Sequence, residues 1–224
     1  MSKMNRSAEE LRMRELVVDE LRSMYFGARI IHELPLRYSH RRIDLAAVTE
    51  EDIIAVEIKS SRDVVDRLED QLRGFIPVAS RIIVALAPKW NPKRELVWVK
   101  DESGRQIGVY PPPSKAQEVI QRVGGPVSTW TVCAETGKVE HWDGRRAATH
   151  RPWSCKLLDL LWRAELFQVA FEHGVYVPKS APHATVRDAC EAAMTGRQVR
   201  RAVCKALRQR NAFDKASDPA EAAA

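Results

Sequence analysis

The spacing of apolar residues in the first part of the chain predicts a helix. Over residues 8–25 apolar side chains recur at helical intervals, and Ser7 followed three residues later by Glu10 is typical of a capping box. The chain therefore opens with an amphipathic helix. Its predicted apolar stripe comprises Leu11, Val17, Val18, Leu21 and Met24.

Three short apolar segments follow this helix, at 28–37, 41–48 and 52–59. The sequences Tyr-Ser-His and Thr-Glu-Glu-Asp separate them and contain residues that favour tight turns. We interpret the three segments as strands of an antiparallel meander.

A second helix and a fourth strand complete this pattern. Ser60 and Ser61 are suitable caps for a helix, and residues 81–87 form a continuous apolar run that is typical of a buried strand. The order of elements is therefore α-β-β-β-α-β, which predicts an α/β core within residues 26–134. The stripe of the second helix comprises Val64, Val65, Leu68, Leu72 and Phe75.

The pattern weakens beyond Pro88. Residues 89–126 mix tryptophans with Pro-Lys, Asp-Glu-Ser-Gly and Pro-Pro-Pro, and we interpret them as an insertion. Residues 127–133 and 138–142 flank Glu-Thr-Gly and predict a hairpin that adds an edge to the sheet. The first domain is thereby expected to span residues 1–150.

An α-helical extension is predicted for residues 151–213, followed by an Ala-rich tail at 214–224 that we expect to be disordered. Two roles stay open for the helices, a small DNA-docking module and a lid packed on the sheet. They are also a candidate surface for other repair or phage proteins. The predicted helices cover 157–173, 185–194 and 198–210.

Composition restricts the compartment and the class of partner. No apolar run among the 224 residues is long enough to cross a bilayer, and the charged N-terminus lacks the apolar stretch of a signal peptide. We therefore expect a cytoplasmic protein with no membrane partner. The net charge of +6 permits a polyanionic partner but does not require one.

Three carboxylates are predicted to stand side by side on neighbouring strands. Glu57 and Lys59 are two residues apart on an apolar strand, so both side chains project from one face. The Thr-Glu-Glu-Asp turn places Asp44 opposite Glu57, and the Tyr-Ser-His turn places Glu33 opposite Asp44. Like charges this close repel unless a cation holds them together, so the row predicts a divalent metal site.

The ligand types indicate the chemistry of this predicted site. Oxygen ligands favour Mg²⁺ or Mn²⁺ over zinc, and such ions bind phosphate oxygens and activate water, as phosphodiester hydrolysis requires. Lys59 is the candidate to orient or deprotonate that water and to stabilise charge on the phosphate. Gln71 lies on the core-facing side of the second helix, where its amide needs a polar partner.

Each of these residues also has an alternative interpretation, as a solvent-exposed side chain without a role in catalysis. Asp44, Glu57 and Lys59 are solvated charges if their strands are half exposed, and Gln71 faces solvent if it lies at the margin of its helical stripe. For the third carboxylate the rivals of Glu33 are Glu15 and Glu10 on the first helix, because Glu15 follows Leu11 by four residues. We favour Glu33.

Several stretches resemble the PD-(D/E)XK nuclease superfamily. They are Arg42-Ile43-Asp44-Leu45, the run Ile54-Ala55-Val56-Glu57-Ile58-Lys59-Ser60-Ser61-Arg62-Asp63, and Gln71-Leu72-Arg73-Gly74-Phe75. The phrase Glu33-Leu34-Pro35-Leu36 is similar to the MmcB-like DNA-repair branch and to related uncharacterised bacterial and phage proteins, in which a glutamate recurs at this place. The resemblance covers residues 8 to about 88, returns at 127–142, and includes the later segment Leu160-Leu161-Trp162-Arg163-Ala164-Glu165-Leu166.

This resemblance implies a restriction-endonuclease-like fold, in which helices flank a mixed sheet. It also implies an enzyme that hydrolyses DNA with Mg²⁺ or Mn²⁺, in repair, recombination or mobile-element biology. Ile43 stands where the superfamily's proline is expected, and Phe75 stands in place of a tyrosine, so a hydroxyl contact there is missing. The implied catalytic residues are Asp44, Glu57, Lys59 and Gln71, and the metal ligands are Asp44, Glu57 and Glu33.

Basic residues in two regions are candidates for contacting the nucleic acid. One group lies in and after the turns that flank the predicted site, and the other forms a stripe on one face of the last helix. In both regions the alternative is a solvated charged surface. The candidates are Arg41, Arg42, Arg62, Arg197, Arg201, Lys205 and Arg208.

Two functions are consistent with these features. The first is a Mg²⁺-dependent deoxyribonuclease, and the second is a catalytically silent nuclease-fold protein that acts as a nucleic-acid-binding or adaptor module. The presence of Asp44, Glu57 and Lys59 together favours the first.

Overall fold

The computed structural model describes residues 7–92, 95–100, 102–142 and 150–211. Its strands are β1 (Arg29–Leu36), β2 (Arg41–Val48), β3 (Ile53–Lys59), β4 (Arg81–Leu86), β5 (Val97–Lys100), β6 (Gln106–Val109), β7 (Val127–Cys133) and β8 (Lys138–Trp142). Its helices are α1 (Ala8–Met24), α2 (Leu68–Phe75), α3 (Lys115–Val123), α4 (Ser154–Leu158), α5 (Arg163–Glu172), α6 (His183–Ala193) and α7 (Gly196–Gln209). The architecture is mixed α/β, with a six-stranded sheet in the order β1-β2-β3-β4-β7-β8 and helices on both faces.

The first three strands form the predicted antiparallel meander in the predicted register. Around the first turn Leu34 pairs with Ile43, and around the second Leu45 pairs with Val56. Strands β3, β4 and β7 run parallel, and β8 returns antiparallel along β7 as the predicted edge hairpin. The expected order α-β-β-β-α-β and the mixed sheet are therefore confirmed.

The first helix packs on one face of the sheet, but its buried stripe differs from the predicted one. Ser7 caps the helix as predicted, since its Oγ accepts a hydrogen bond from the Glu10 N–H at 3.1 Å. Leu11 is 46% exposed, whereas Met13 and Arg14 are buried. The stripe continues backwards from Val17 by three and four residues, which is the spacing of one helical face.

The second helix packs on the opposite face and begins later than predicted. The chain from Ser60 to Arg67 forms turns, in which Asp63 accepts hydrogen bonds from the N–H and hydroxyl of Ser60. Ser60 therefore forms a turn with Asp63 and does not cap the helix, whose N-cap is Arg67. The first helical residue is Leu68, which is fully buried together with Leu72 and Phe75.

Residues 89–126, interpreted from the sequence as an insertion, contain two different structures. The hairpin of β5 and β6 is exposed along both strands and pairs with no other strand of the described residues. In contrast, Ala116 and Val119 of α3 belong to the hydrophobic core. This helix connects parallel strands β4 and β7, and parallel neighbours require such a crossover.

The C-terminal helices pack on the same face of the sheet as α2. The predicted single helix over 157–173 is divided into α4 and α5. Arg210 is buried and joins these parts, because it donates hydrogen bonds to the Glu165 carboxylate and to the Leu160 carbonyl oxygen. The tail at 214–224 lies outside the described residues. Within them, no helix combines the length and the apolar character needed to traverse a bilayer.

Candidate active site

The candidate site lies where β2 and β3 separate. Their pairing ends at Leu45 and Val56, beyond which β2 pairs with β1 alone and β3 with β4 alone. Asp44 lies at this fork and bridges it, since its Oδ2 accepts a hydrogen bond from the Ile58 N–H at 2.9 Å. Side chains from both faces of the sheet can therefore reach the carboxylates at the fork.

Glu57, Lys59 and Gln71 form a hydrogen-bonded triangle beside Asp44. The Lys59 ammonium donates to Oε1 of Glu57 at 2.7 Å and to Oε1 of Gln71 at 3.0 Å. The Gln71 amide closes the triangle by donating to the same Glu57 oxygen at 2.5 Å. The sequence placed these three residues together, and α2 supplies Gln71 from the face that Glu57 and Lys59 point towards.

The Glu57 carboxylate is deeply buried, and only one of its two oxygens accepts hydrogen bonds. The residue is 1% exposed, and its Oε2 has no hydrogen-bond partner. Burial and the neighbouring Asp44 carboxylate raise the pKa of Glu57 to about 8. A buried polar atom without a partner requires an explanation, and a water molecule or an ion is the usual one.

Arg14 holds Asp44 from the other face of the sheet. Its Nη1 donates to the backbone carbonyl oxygen of Asp44 at 2.7 Å, and its Nη2 lies 3.9 Å from the Asp44 carboxylate. Burial raises the pKa of Asp44, whereas the Ile58 N–H and the Arg14 guanidinium act in the opposite direction. The sequence analysis missed Arg14, although its position three residues before Val17 is the signal that reveals it.

Glu33 reaches the site in a different way from the predicted one. The flanking pairs have the predicted register, but Glu33 has a positive φ of 55° and is not itself paired with Asp44. Its carboxylate lies 3.3 Å from Nη2 of Arg14 and 3.4 Å from Nε of Arg42. Two arginines therefore contact this third carboxylate.

The rival acids on the first helix occupy different positions. Glu15 is exposed and forms an ion pair with Arg12 at 2.9 Å, away from Asp44. Glu10 approaches the cluster, because its Oε1 lies 3.7 Å from Nη2 of Arg14. The first helix thus contributes Arg14 to the fork, and Glu10 lies next to the guanidinium of Arg14.

The donor set fits a divalent ion that is held by two carboxylates. Among the described residues, no group of three or more His, Cys, Asp and Glu side chains has the arrangement of a metal site. However, Mg²⁺ commonly keeps several waters and takes only one or two carboxylates from the protein. Asp44 and the unpartnered Oε2 of Glu57 meet that requirement, and Glu33 is held by arginines instead.

A cleft of about 570 Å³ opens beside the fork, and we call it the Gln71 cleft. Gln71 lines it and also contacts Glu57, so this amide lies between the cleft and the buried carboxylate. Arg41 forms an ion pair with Asp70 at 3.4 Å. Arg67, which the sequence analysis did not single out, lines the same cleft. The lining also includes Glu33, His40, Arg41, Arg42 and Asp44.

The predicted basic residues of the last helix contact other parts of the protein. Arg197 and Arg201 both bind the Glu51 carboxylate, at 3.0 and 2.5 Å. Lys205 binds Glu172 at 2.9 Å. Arg208 donates to a backbone carbonyl oxygen, that of Gly27. These contacts connect α7 to the neighbouring elements of the fold. A role of these residues in nucleic-acid binding stays a prediction.

The comparison with known proteins found one similarity. Residues 3–111 match a family model described as bacteriophage P4 protein cII. The match includes Asp44, Glu57, Lys59 and Gln71 and ends before α3. No curated protein and no solved structure matches the chain.

Proposed function

We propose that the protein is a divalent-metal-dependent nuclease that hydrolyses DNA phosphodiester bonds, with a restriction-endonuclease-like core of the PD-(D/E)XK type. Repair, recombination and mobile-element biology are the contexts we consider. The similarity of residues 3–111 to a bacteriophage protein family favours the last of these.

One observation carries the proposal. A buried lysine and a buried glutamate contact each other and the same glutamine, at a point where a second carboxylate enters from the neighbouring strand. Burial of this polar group without a functional reason is costly, since an unsatisfied carboxylate oxygen in the interior destabilises the folded state. The free Oε2 of Glu57 is thus a ready acceptor for a bound cation.

The residues have distinct roles in this proposal. Asp44 and Glu57 would hold the ion, which would supply Lewis-acid stabilisation of the phosphate and help to activate the attacking water. Lys59 donates hydrogen bonds and stabilises the negative charge that develops on the phosphate. Gln71 keeps the Lys59 ammonium and the Glu57 carboxylate in a fixed relation, because it binds both.

Arg14 and Glu33 position Asp44 without binding the ion themselves in this proposal. Arg14 fixes the backbone of Asp44 and compensates its charge, and Glu33 in turn contacts Arg14. We therefore assign Glu33 a role in positioning Arg14, in place of the metal ligation that the sequence suggested.

The direct test is cleavage of labelled DNA by the purified protein. Single-stranded, nicked and duplex substrates, with an RNA of the same sequence, should each be incubated with Mg²⁺, Mn²⁺ or EDTA. We expect cleavage of at least one DNA substrate with Mg²⁺ or Mn²⁺ and none with EDTA. Cleavage that persists in EDTA contradicts the proposed dependence on metal.

A second candidate function is a catalytically silent nucleic-acid-binding or adaptor module. The observation that favours it is that cations of the protein lie beside the carboxylates: Arg14 lies beside Glu33 and Asp44, and the Lys59 ammonium contacts Glu57. The same assay separates the two functions. An adaptor binds the substrates in Mg²⁺ but leaves all of them intact.

A further inference from the structure

The segment 60–67, which follows β3, lies between two clefts. Arg67 lines the Gln71 cleft, whereas Ser61 and Arg62 line another cleft of about 690 Å³, which we call the Ser61 cleft. We propose that a nucleic-acid backbone crosses this segment, with phosphates bound by Arg67 on one side and by Arg62 and Lys89 on the other. This proposal rests on the function proposed above and names the surface that holds its substrate.

The Ser61 cleft is formed where three parallel strands end. Residues that directly follow β3, β4 and β7 line it, together with the first turn of α1. In open α/β sheets, ligands bind beyond the carboxyl ends of the strands. The N-terminus of a helix adds partial positive charge. Both features favour an anionic ligand in this cleft.

Cations with uncompensated charge mark the two clefts. Arg62 and Arg67 are exposed, and neither side chain has an ion-pair or hydrogen-bond partner within the part of the chain that the structure describes. Lys89 donates to the backbone carbonyl oxygen of Ser61 at 2.9 Å, and this neutral acceptor leaves the ammonium charge uncompensated. Phosphates are the natural partners of such cations.

The segment is also held rigidly enough to present these side chains. The Glu9 carboxylate of α1 accepts hydrogen bonds from the backbone N–H and the hydroxyl of Ser61, at 3.2 and 2.5 Å. The indole N–H of Trp90 donates to the Ser60 carbonyl oxygen at 2.9 Å. Glu9 is thereby engaged by the segment through neutral donors that leave its negative charge in place, and Glu135 is the second carboxylate that lines the Ser61 cleft.

The basic stripe of α7 differs from these cations. Arg197 and Arg201 share the Glu51 carboxylate, and Lys205 pairs with Glu172. Binding of phosphate there competes with existing ion pairs. We therefore place the nucleic-acid path over segment 60–67 and not along α7.

The test compares three variants that each lose three positive charges. The first carries Arg62→Ala, Arg67→Ala and Lys89→Ala. The second removes the α7 stripe through Arg197→Ala, Arg201→Ala and Lys205→Ala. The third is a control at exposed positions outside both clefts, Lys138→Ala, Arg151→Ala and Lys179→Ala.

Fluorescence anisotropy in EDTA measures the affinity of each variant for a labelled single strand and a labelled duplex across a range of salt concentrations. Each phosphate contact adds about 0.7 to the slope of log affinity against log salt for single strands and about 0.9 for duplex DNA. The cleft variant should therefore lose about two units of slope on single strands. The α7 variant and the control should keep the slope of the parent.

The proposal is overturned if the cleft variant keeps the parent slope, or if the α7 variant loses more of it. Arg62→Ala alone provides a check against misfolding, because this side chain is exposed, and it should lose about 0.7 of slope on single strands. The binding assay contains EDTA and is independent of cleavage. A cleft variant with reduced slope, combined with a parent that never cleaves, supports this surface and contradicts the nuclease.

Discussion

Arg14 and Asp44 are joined at two points, because one guanidinium nitrogen donates to the Asp44 carbonyl oxygen at 2.7 Å and the other lies 3.9 Å from its carboxylate. The two residues come from α1 and β2, which are separate elements of the fold. Arg14 thereby provides a built-in cation at a fork that also carries Glu33 and Glu57.

Removal of this cation should expose the repulsion between the carboxylates. We predict that Arg14→Met lowers the free energy of unfolding by about 3–5 kcal/mol without metal, as loss of one partner from a buried ion pair does. Added Mg²⁺ should then raise the melting temperature by more in the variant than in the parent, because bound ligand stabilises the folded state. Urea and thermal unfolding with EDTA or Mg²⁺ measure both effects.

Arg12→Met is the matched control for Arg14→Met. Arg12 belongs to the same helix, and its side chain is 51% exposed in an ion pair with Glu15, which is 56% exposed. Such exposed pairs contribute little to stability. Equal effects of the two substitutions contradict the role assigned to Arg14.

The raised pKa of Glu57 predicts a distinct pH dependence of stability in the absence of metal. The folded protein keeps the proton of Glu57 up to about pH 8, whereas the unfolded chain releases it near 4.5. The parent should therefore lose stability relative to Glu57→Gln as the pH rises between these values, by at most about 1.4 kcal/mol per pH unit. Below the unfolded pKa of Glu57 the stability curves of the two proteins should run parallel.

Urea unfolding of both proteins in EDTA, from pH 4 to pH 9, measures this difference. Glu15→Gln serves as the control, since Glu15 is exposed and its substitution should shift the curve without changing its slope in this window. Parallel curves for the parent and Glu57→Gln show that the Glu57 carboxylate is ionised in the folded protein at neutral pH, contrary to the prediction.

The C-terminal helices depend on one buried arginine more than on their exposed ion pairs. Arg210 is 4% exposed and binds the carboxylate of Glu165, whose side chain is 18% exposed. Arg210→Met should therefore destabilise the protein by about 3–5 kcal/mol. Arg197→Met removes an exposed partner of Glu51 and should leave the urea midpoint unchanged within error. Similar midpoints for both variants contradict this assignment.

Much of the site could be predicted because local signals fix the first three strands. Two short turns determine which residues face each other, and this register was correct for Leu34 with Ile43 and Leu45 with Val56. Apolar neighbours on both sides of Glu57 indicated a central strand, and the whole of β3 is buried.

Other parts depend on tertiary contacts that the pattern does not encode. The positive φ of Glu33 and the separation of β2 from β3 have no clear sequence signal. The predicted direct pairings of Glu33 with Asp44 and of Asp44 with Glu57 are therefore both absent. The predicted stripe of α1 includes Leu11, which is exposed, and omits Arg14, which is buried.

The crossover helix α3 could have been found from the sequence. Ser114 and Gln117 form a complete capping box at its start, and Gly124 ends it. The surrounding prolines and turn residues concealed this signal. In contrast, the two clefts on either side of segment 60–67 depend on the packing of α1 and α2, which no local pattern specifies.

We propose that Asp44, Glu57 and Lys59 catalyse DNA hydrolysis together with a divalent ion. The decisive measurement is single-turnover cleavage of labelled DNA in Mg²⁺ by the parent, Glu57→Gln and Glu15→Gln. We predict that Glu57→Gln lowers the rate by at least about 100-fold while Glu15→Gln keeps it, since only Glu57 holds the ion. Equal rates for Glu57→Gln and the parent would contradict the claim.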